Sequence, residues 1–274
     1  PITTIVTDWY GPLVRQLNPT YYNRMDQTTP ANLPFGASAS FVPGIDRIVT
    51  QVDVQPSAMP STTWEAWVKP AAFDGVIMSN DDGGFDRTIG INNVGRLYTF
   101  TGSGGFDGPA VSLNAWQHVA VVYTPTRISL YLNGVETVVP ATPAFGTSVN
   151  KLVFGSFPDG NIGMRGLLDE VAVFDKALTS AQIASHYQAG KGLLPLPNGY
   201  AAFVLNDAPY AYWPLDNRSP DHASNVTGHG GDGVYVGTRT TGEQATPPNF
   251  GLALASEQGT DGTGFSFPGT GGYN

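Results

Sequence analysis

Residues 116–139 read WQHVAVVYTPTRISLYLNGVETVV. β-Branched and aromatic residues dominate this stretch, and Thr124-Pro125 and then Asn133-Gly134 interrupt it. An Asn-Gly pair between alternating residues is the strongest short signal for a β-hairpin, because a type I′ turn needs positive φ at both central positions. The stretch therefore predicts three antiparallel strands joined by tight turns.

Similar short runs lie at 62–68, 151–155 and 167–174, with Gly or Pro near their ends. Short strands without intervening helices favour an antiparallel sandwich over a parallel α/β sheet. One helix is predicted at 177–189, where Thr179 and Gln182 form a capping box and Gly190 takes the C′ position. The sequence thus predicts an all-β, antiparallel two-sheet sandwich with one short C-terminal helix.

The composition excludes several classes of protein. The chain has 274 residues with 34 Gly, 22 Pro and no Cys, and only 13% of its residues are charged. Without Cys there is no disulfide scaffold and no thiolate metal site, and so much Gly and Pro argues against helical bundles. A net charge of −9 argues against nucleic-acid binding. No apolar run reaches the roughly 18 residues of a membrane span.

A repeat divides the chain. Residues 205–220 echo 17–30, and 265–269 echo 39–44. We therefore predict an N-terminal arm (1–16), a complete domain (17–190), a Pro-rich linker (191–204) and an incomplete second domain (205–274). The missing part has three explanations: the natural chain continues past residue 274, the tail packs on the first domain or on its own duplicate, or a neighbouring subunit supplies strands.

The sequence blocks 41–44, 63–70, 116–123, 130–135 and 166–178 carry a family resemblance. Together they resemble the concanavalin A-like lectin/glucanase superfamily, in its laminin G-like (LamG or pentraxin-type) branch. The resemblance covers about 17–190. It implies a two-sheet jelly roll that most often binds carbohydrate or protein, frequently with calcium.

Glycosidase activity is not expected. Retaining glucanases of this superfamily carry Glu-x-Asp-x-Glu on one strand, which sets two carboxylates on one face about 5 Å apart. Here Asp169 and Glu170 are adjacent and so point to opposite faces, and Glu65 lies between two tryptophans. We predict no enzyme. His118 is expected to be packed and His186 to lie on the surface.

A metal site is a further hypothesis. Asp81, Asp82 and Asp86 lie within one short turn, and Ca²⁺ binds several oxygens at about 2.3–2.6 Å. The alternative is a polar turn in which Asp side chains accept backbone hydrogen bonds. For His222 and His229 a zinc site competes with a solvated Gly-rich loop, which is the favoured interpretation.

Aromatic residues are the candidates for ligand contact. Trp64, Trp67 and Trp116 are predicted to be core residues. An exposed ring beside an Asp-rich loop would suit a glycan, because sugars stack on rings while carboxylates accept their hydroxyls. The sequence leaves open which rings are exposed, and it gives no ligand-binding residue; the candidates are Trp9, Tyr10, Tyr21, Tyr22, Tyr98 and Tyr210.

These features favour a non-catalytic binding or structural module. The absence of Cys and of a recognisable signal peptide, together with tandem jelly rolls, suits a phage virion protein of the minor tail or fibre. Its partners would be host cell-surface glycan or other virion proteins, in a homo-oligomer or larger assembly. The alternatives are a bacterial surface or secreted lectin-like adhesin and an accessory domain of a glycoside hydrolase.

Overall fold

The computed structural model describes residues 38–44, 46–194, 199–215 and 222–237. Two helices are described, α1 (Ser180–Gly190) and α2 (Gly199–Asn206). The strands are β1 (Ala39–Phe41), β2 (Arg47–Val49), β3 (Thr62–Pro70), β4 (Gly75–Ser79), β5 (Thr88–Ile91), β6 (Arg96–Phe100), β7 (Gly105–Ala110), β8 (Gln117–Tyr123), β9 (Ile128–Leu132), β10 (Val135–Val138), β11 (Val153–Phe154), β12 (Gly166–Phe174), β13 (Ala211–Trp213), β14 (His222–Ala223) and β15 (Gly233–Val236).

Within the described residues the strands form two antiparallel sheets. The first has seven strands in the order β1-β12-β3-β8-β9-β10, with β13 also paired to β12. The second has eight, in the order β14-β15-β2-β11-β4-β5-β6-β7. This confirms the all-β, antiparallel two-sheet sandwich.

The core lies between the two sheets, because each sheet turns its apolar face inward. Trp64 on β3 packs edge-to-face on Tyr123 of β8, with ring centroids 5.3 Å apart. The Tyr123 hydroxyl lies 2.8 Å from Thr99 Oγ1 on β6 and so joins the sheets. Such a bond satisfies a hydroxyl that burial would otherwise leave without water.

The predicted hairpin is present. Strands β9 and β10 pair antiparallel, with Val135 opposite Leu132. Asn133 and Gly134 have φ of 53° and 76°, as a two-residue turn of this kind requires. The turn chemistry therefore fixes the register of this edge of the first sheet.

Helix α1 has the predicted capping box, although it begins at Ser180 and not at 177. Thr179 is the N-cap, its hydroxyl accepts from the Gln182 amide, and the Gln182 side chain accepts from the Thr179 amide. The prediction of Gly190 as the C′ glycine is wrong. Gly190 is the last helical residue, and Gly192, with φ of 69°, takes the left-handed position and donates to the Ala189 carbonyl.

Gly190 has a different role, which is close packing. A Cβ added there would lie 2.2 Å from Cζ2 of Trp67 on β3. The helix therefore lies directly on the indole ring, on the outward face of the first sheet. Neither described helix has the length and apolar character needed to cross a bilayer.

The segment after residue 190 differs from the predicted organisation. Residues 199–206 form α2; the prediction placed 199–204 in the linker and 205–206 in the second domain. The sequence of α2, GYAAFVLN, is mostly apolar and contains no Pro. Trp213 of β13 pairs with Val171 of β12, and Val234 of β15 pairs with Val49 of β2. The described strands assigned to a second domain thus extend both sheets of this sandwich.

The side chains of that segment also enter the same core. Trp213 is fully buried and contacts Phe154 of β11, with ring centroids 5.0 Å apart. The three explanations for the incomplete copy included packing of the tail on the first domain. The described strands are arranged in that way. The arm at 1–16 and the repeats at 17–30 and 265–269 lie outside the described residues.

Candidate functional site

The predicted calcium loop connects β4 to β5. Asp81 Oδ1 accepts three backbone hydrogen bonds, from the amides of Gly83 (3.1 Å), Gly84 (2.9 Å) and Asp86 (3.0 Å). One carboxylate oxygen thus organises the turn itself, as the polar-turn alternative proposed.

The other two carboxylates are placed differently. Asp82 is exposed, whereas Asp86 is buried, and burial raises the pKa of Asp86 although a hydrogen bond with Ser148 lowers it. Among the described residues no group of three or more His, Asp or Glu is arranged to hold a metal ion. These side chains therefore fit a self-contained turn better than an ion cage. Calcium binding stays a prediction, to be tested by melting the protein in millimolar Ca²⁺.

The histidine loop has separate contacts for each ring. His222 Nε2 lies 3.9 Å from Asp232 Oδ2, while His229 stacks on the half-buried Tyr210 with centroids 5.0 Å apart. Trp64, Trp67 and Trp116 are buried, as predicted. The candidate aromatics at 9, 10, 21 and 22 lie outside the described residues.

Four rings come together on the outward face of the second sheet, and we call them the aromatic patch: Phe85, Tyr98, Phe100 and Phe157. Phe100 is central, with ring centroids 5.3 Å from Phe85, 5.5 Å from Tyr98 and 6.1 Å from Phe157. Phe157 is stacked on Phe100, and Phe85 meets it edge-on. Phe85 is exposed and the other three rings are half-buried, and apolar surface at a cluster of this kind can mark a binding site.

Strand β6 builds the middle of the patch by simple alternation. Leu97 is buried and Thr99 bonds into the core, so Tyr98 and Phe100 face outward. Gly90 on β5 lies opposite Tyr98, and a Cβ at that position would be 2.5 Å from the Tyr98 ring. The glycine therefore lets the ring lie close over the neighbouring strand.

Phe85 has a strained backbone. The φ of Phe85 is 56°, and 47% of the surface of this residue is exposed. A bulky residue in the left-handed region costs on the order of 1–3 kcal/mol, and such strain is concentrated at functional sites. Gly or Asn would adopt this φ more readily at a position three residues before β5 begins, yet the chain presents an exposed phenyl ring here.

Carboxylates border the patch. Asp107 on β7 is exposed and lies opposite Tyr98. Burial, followed by the nearby Asp74 and Asp81, raises the pKa of Tyr98 above its ordinary value. Asp159, two residues after Phe157, accepts hydrogen bonds from the backbone and side chain of Asn161 at 2.8 and 2.7 Å. Apolar rings and oxygen acceptors therefore lie side by side.

Sequence reasoning found Tyr98 but missed the other three rings. The alternation over 96–100 could have placed Tyr98 and Phe100 on one face. Phe85 lies in the loop already singled out for its aspartates. Phe157 comes from the segment between β11 and β12, and its approach to β6 depends on the tertiary fold.

A second group of polar residues is buried beneath α1 and α2. His186 Nδ1 lies 2.7 Å from Glu65 Oε1, and its Nε2 lies 3.0 Å from Asp207 Oδ2. His118 Nε2 is 3.5 Å from the other Glu65 oxygen. The predicted surface position of His186 is wrong, because it shares the buried helix face with Ile183 and is fully buried.

In this group the carboxylates and the imidazole of His186 favour each other's charged forms. Burial alone would raise the pKa of Glu65, but His186 and His118 lower it to about 2. Burial would lower the pKa of His186, but Glu65 and Asp207 raise it above its ordinary value. The group therefore fastens α1 and the end of α2 to β3.

The adjacent acidic pair on β12 is also buried. Asp169 is fully buried and Glu170 is 3% exposed, and the Tyr212 hydroxyl contacts the Glu170 carboxylate. Glu170 has a φ of 52° at an irregularity in the β12–β3 pairing. Asp169 Oδ1 accepts from the Glu170 amide at 3.1 Å. Neither carboxylate is presented to a substrate at the surface.

Comparison with known families identifies the sandwich. A family model, Laminin_G_3, described as the concanavalin A-like lectin/glucanases superfamily, matches residues 48–184, which is half of the chain. The chain belongs to this superfamily. The matched range includes the aromatic patch and the first five residues of α1. Comparison with curated protein sequences found no match.

Three solved structures are similar to this chain. A protein from Bacteroides ovatus ATCC 8483, provisionally assigned to carbohydrate binding, has a TM-score of 0.56 at 19% identity, over 78% of this chain and 62% of that one. This chain thus spans less than two thirds of that protein. Domain 4 of an extracellular arabinanase from Geobacillus stearothermophilus, solved with arabinotriose, has a TM-score of 0.41 at 20% identity, over 54% and 75%. A heptameric SAP-like pentraxin from Limulus polyphemus gives 0.45 at 20%, over 62% and 88%.

Proposed function

We propose that this protein is a non-catalytic carbohydrate-binding module that holds a glycan on the aromatic patch. The observation that carries the proposal is the cluster of Phe85, Tyr98, Phe100 and Phe157 beside exposed carboxylates. Apolar C–H faces of sugar rings pack on aromatic rings, and sugar hydroxyls donate to carboxylates such as Asp107. Ligand sites commonly combine such an apolar surface with a few polar groups.

The burial of the acidic residues supports a non-catalytic role. Glycoside hydrolysis needs two carboxyl groups that reach the same glycosidic bond. Glu65, Asp169 and Glu170 are all buried and engaged with other side chains or backbone, so they offer no such pair to a glycan. The provisional carbohydrate assignment of the Bacteroides ovatus protein favours the same class of ligand, by analogy of fold.

The setting we propose is a phage virion, as a minor tail or fibre component that adheres to host surface glycan or cements the particle. Support comes from the absence of Cys and from the association of such modules with phage tails. Its partners are then cell-surface glycan or other virion proteins. A bacterial surface adhesin or an accessory domain of a glycoside hydrolase is the alternative, and mass spectrometry of purified virions separates these.

Replacing Phe85 by Asn tests the glycan site. Asn tolerates the left-handed conformation, so Phe85→Asn removes the ring without adding backbone strain. On a glycan array we expect the wild-type chain to bind a defined set of glycans and the variant to lose about tenfold in affinity, which corresponds to about 1.4 kcal/mol of ring contact.

Phe73→Asn is the matched control. Phe73 is 39% exposed and packs on Gly95 in the turn between β5 and β6. This control should keep the wild-type glycan profile. Equal binding by wild type and Phe85→Asn would refute the patch as the site, and a wild-type chain that binds no glycan would favour a purely structural role.

A further inference from the structure

A groove lies on the outward face of the first sheet, where β8, β9 and β10 meet the start of α1. Its volume is about 340 Å³. Small-molecule sites occupy about 300–1,000 Å³, so this groove has room for a small ligand only. Its apolar part is formed by Val122 and Leu178, and its polar part by Arg127, Ser129, Glu136 and Ser180.

The Glu136 carboxylate is fixed in place from two sides. Its Oε1 accepts from Arg127 Nη2 at 2.6 Å and from Ser129 Oγ at 2.8 Å, and its Oε2 accepts from Ser180 Oγ at 3.0 Å. Ser180 also lies 3.1 Å from the Tyr131 hydroxyl. Three elements, β9, β10 and α1, thus hold one carboxylate in a single orientation before any ligand arrives.

The groups remain accessible although they are ordered. The Arg127 side chain is 52% exposed and that of Glu136 is 26% exposed. Burial would raise the pKa of Glu136, but the hydrogen bonds from Ser129, Arg127 and Ser180 lower it to about 2. The carboxylate therefore stays ionised, and an acceptor, across the physiological pH range.

The charges define the class of ligand. Arg127 and Glu136 neutralise each other, so an anion would meet the carboxylate and a cation would meet the guanidinium. A neutral ligand with adjacent donor and acceptor groups can satisfy both at once. Vicinal hydroxyls of a sugar have this arrangement.

We propose that this groove is a second binding site, for a neutral sugar of one or two units, separate from the aromatic patch. The patch is built on β6 in the other sheet, so the two sites lie on opposite outward faces of the sandwich. The module would then contact two sugars at once, and simultaneous contacts raise overall avidity without a new interface.

Nuclear magnetic resonance titration tests the proposal with four neutral probes: glucose, galactose, mannose and N-acetylglucosamine. We expect at least one of them to shift the Arg127 side-chain Nε–H and the Ser180 amide resonances in a saturable way. Glucuronate is the charged comparison and should bind more weakly than glucose. If none of the four sugars shifts these resonances, or if glucuronate binds more tightly than all of them, the proposal is overturned.

Two variants assign the effect to the groove. Arg127→Met keeps the aliphatic stem of a half-exposed side chain and should weaken the sugar at least tenfold, whereas Arg165→Met, at an exposed arginine before β12, should not. Ser180→Ala, which removes one donor to Glu136, should weaken binding less than Arg127→Met. Wild-type affinity in Arg127→Met overturns the proposal. Phe85→Asn should leave the groove shifts unchanged, so failure of one site is distinguishable from failure of the other.

Discussion

Replacing Glu65 by Gln probes the buried ionic group under the helices. The folded-state pKa of Glu65 is about 2, compared with an ordinary value of 4.5. A difference of about 2.5 units, at about 1.36 kcal/mol per unit, corresponds to about 3 kcal/mol of stability. Because the folded pKa is the lower one, this contribution is present above pH 4.5 and is lost as the pH falls towards 2.

His186 acts in the opposite direction. Its folded pKa lies above its ordinary value of 6.5, so its contribution is present below pH 6.5 and is lost as the pH rises through the folded pKa. The pair therefore stabilises the fold most between about pH 4.5 and 6.5. Glu65→Gln leaves an imidazolium buried with only Asp207 as a charged partner at close range, and breaking a buried pair costs about 3–5 kcal/mol.

Urea unfolding of both proteins from pH 2 to 8 is the assay. We expect the gap in unfolding free energy to be about 3–5 kcal/mol near pH 5.5 and to shrink by about 3 kcal/mol as the pH falls to 2. The pKa of His186, followed by nuclear magnetic resonance, should fall in Glu65→Gln because burial is then opposed by Asp207 alone. A gap that does not change with pH, together with an unmoved His186 pKa, would refute the reasoning.

Two further substitutions test the packing. Gly190→Ala should destabilise the fold by about 1–3 kcal/mol in urea unfolding, because the added Cβ would overlap the Trp67 ring. This loss is expected although Ala ordinarily favours a helix over Gly by about 1 kcal/mol. A stabilised variant would contradict the close contact. Arg87→Met should lower the free energy of unfolding by about 3 kcal/mol or more and lower the melting temperature. An unchanged melting temperature would show that the hydrogen bonds of the Arg87 side chain do not stabilise the fold. The buried Arg87 guanidinium donates to the carbonyl oxygens of Val54 (2.6 Å), Met59 (2.8 Å) and Pro60 (3.3 Å).

Local chemistry made much of the fold predictable. The Asn133-Gly134 turn permits few backbone conformations, so the β9–β10 hairpin could be read from the sequence. The capping box of α1 needs only two residues three positions apart, Thr179 and Gln182. The N-cap of the helix could therefore be predicted correctly. These features depend on neighbours along the chain and hold wherever the segment lies.

The candidate site was less predictable because its residues meet only in the folded chain. His186 was placed on the surface because His counts as polar in a helical pattern, and its partner Glu65 lies 121 positions earlier. Phe157 contacts Phe100 from the segment that connects β11 to β12. The Asp81 turn was recognised, but whether its carboxylate accepts amides or holds an ion depends on backbone geometry.

The repeat shows another limit of local sequence patterns, and the incomplete second domain stays a prediction. An aromatic strand followed by a turn suits any edge of a sandwich, so its recurrence does not require a second domain. Here β13 pairs with β12, Trp213 enters the core against Phe154, and Tyr200 of α2 accepts a hydrogen bond from Trp67 at 3.1 Å. Removing this segment would uncover the edge of β12 and expose Phe154 to water. The described strands after residue 190, which resemble the start of another domain, therefore add to both sheets of this sandwich and pack into its core.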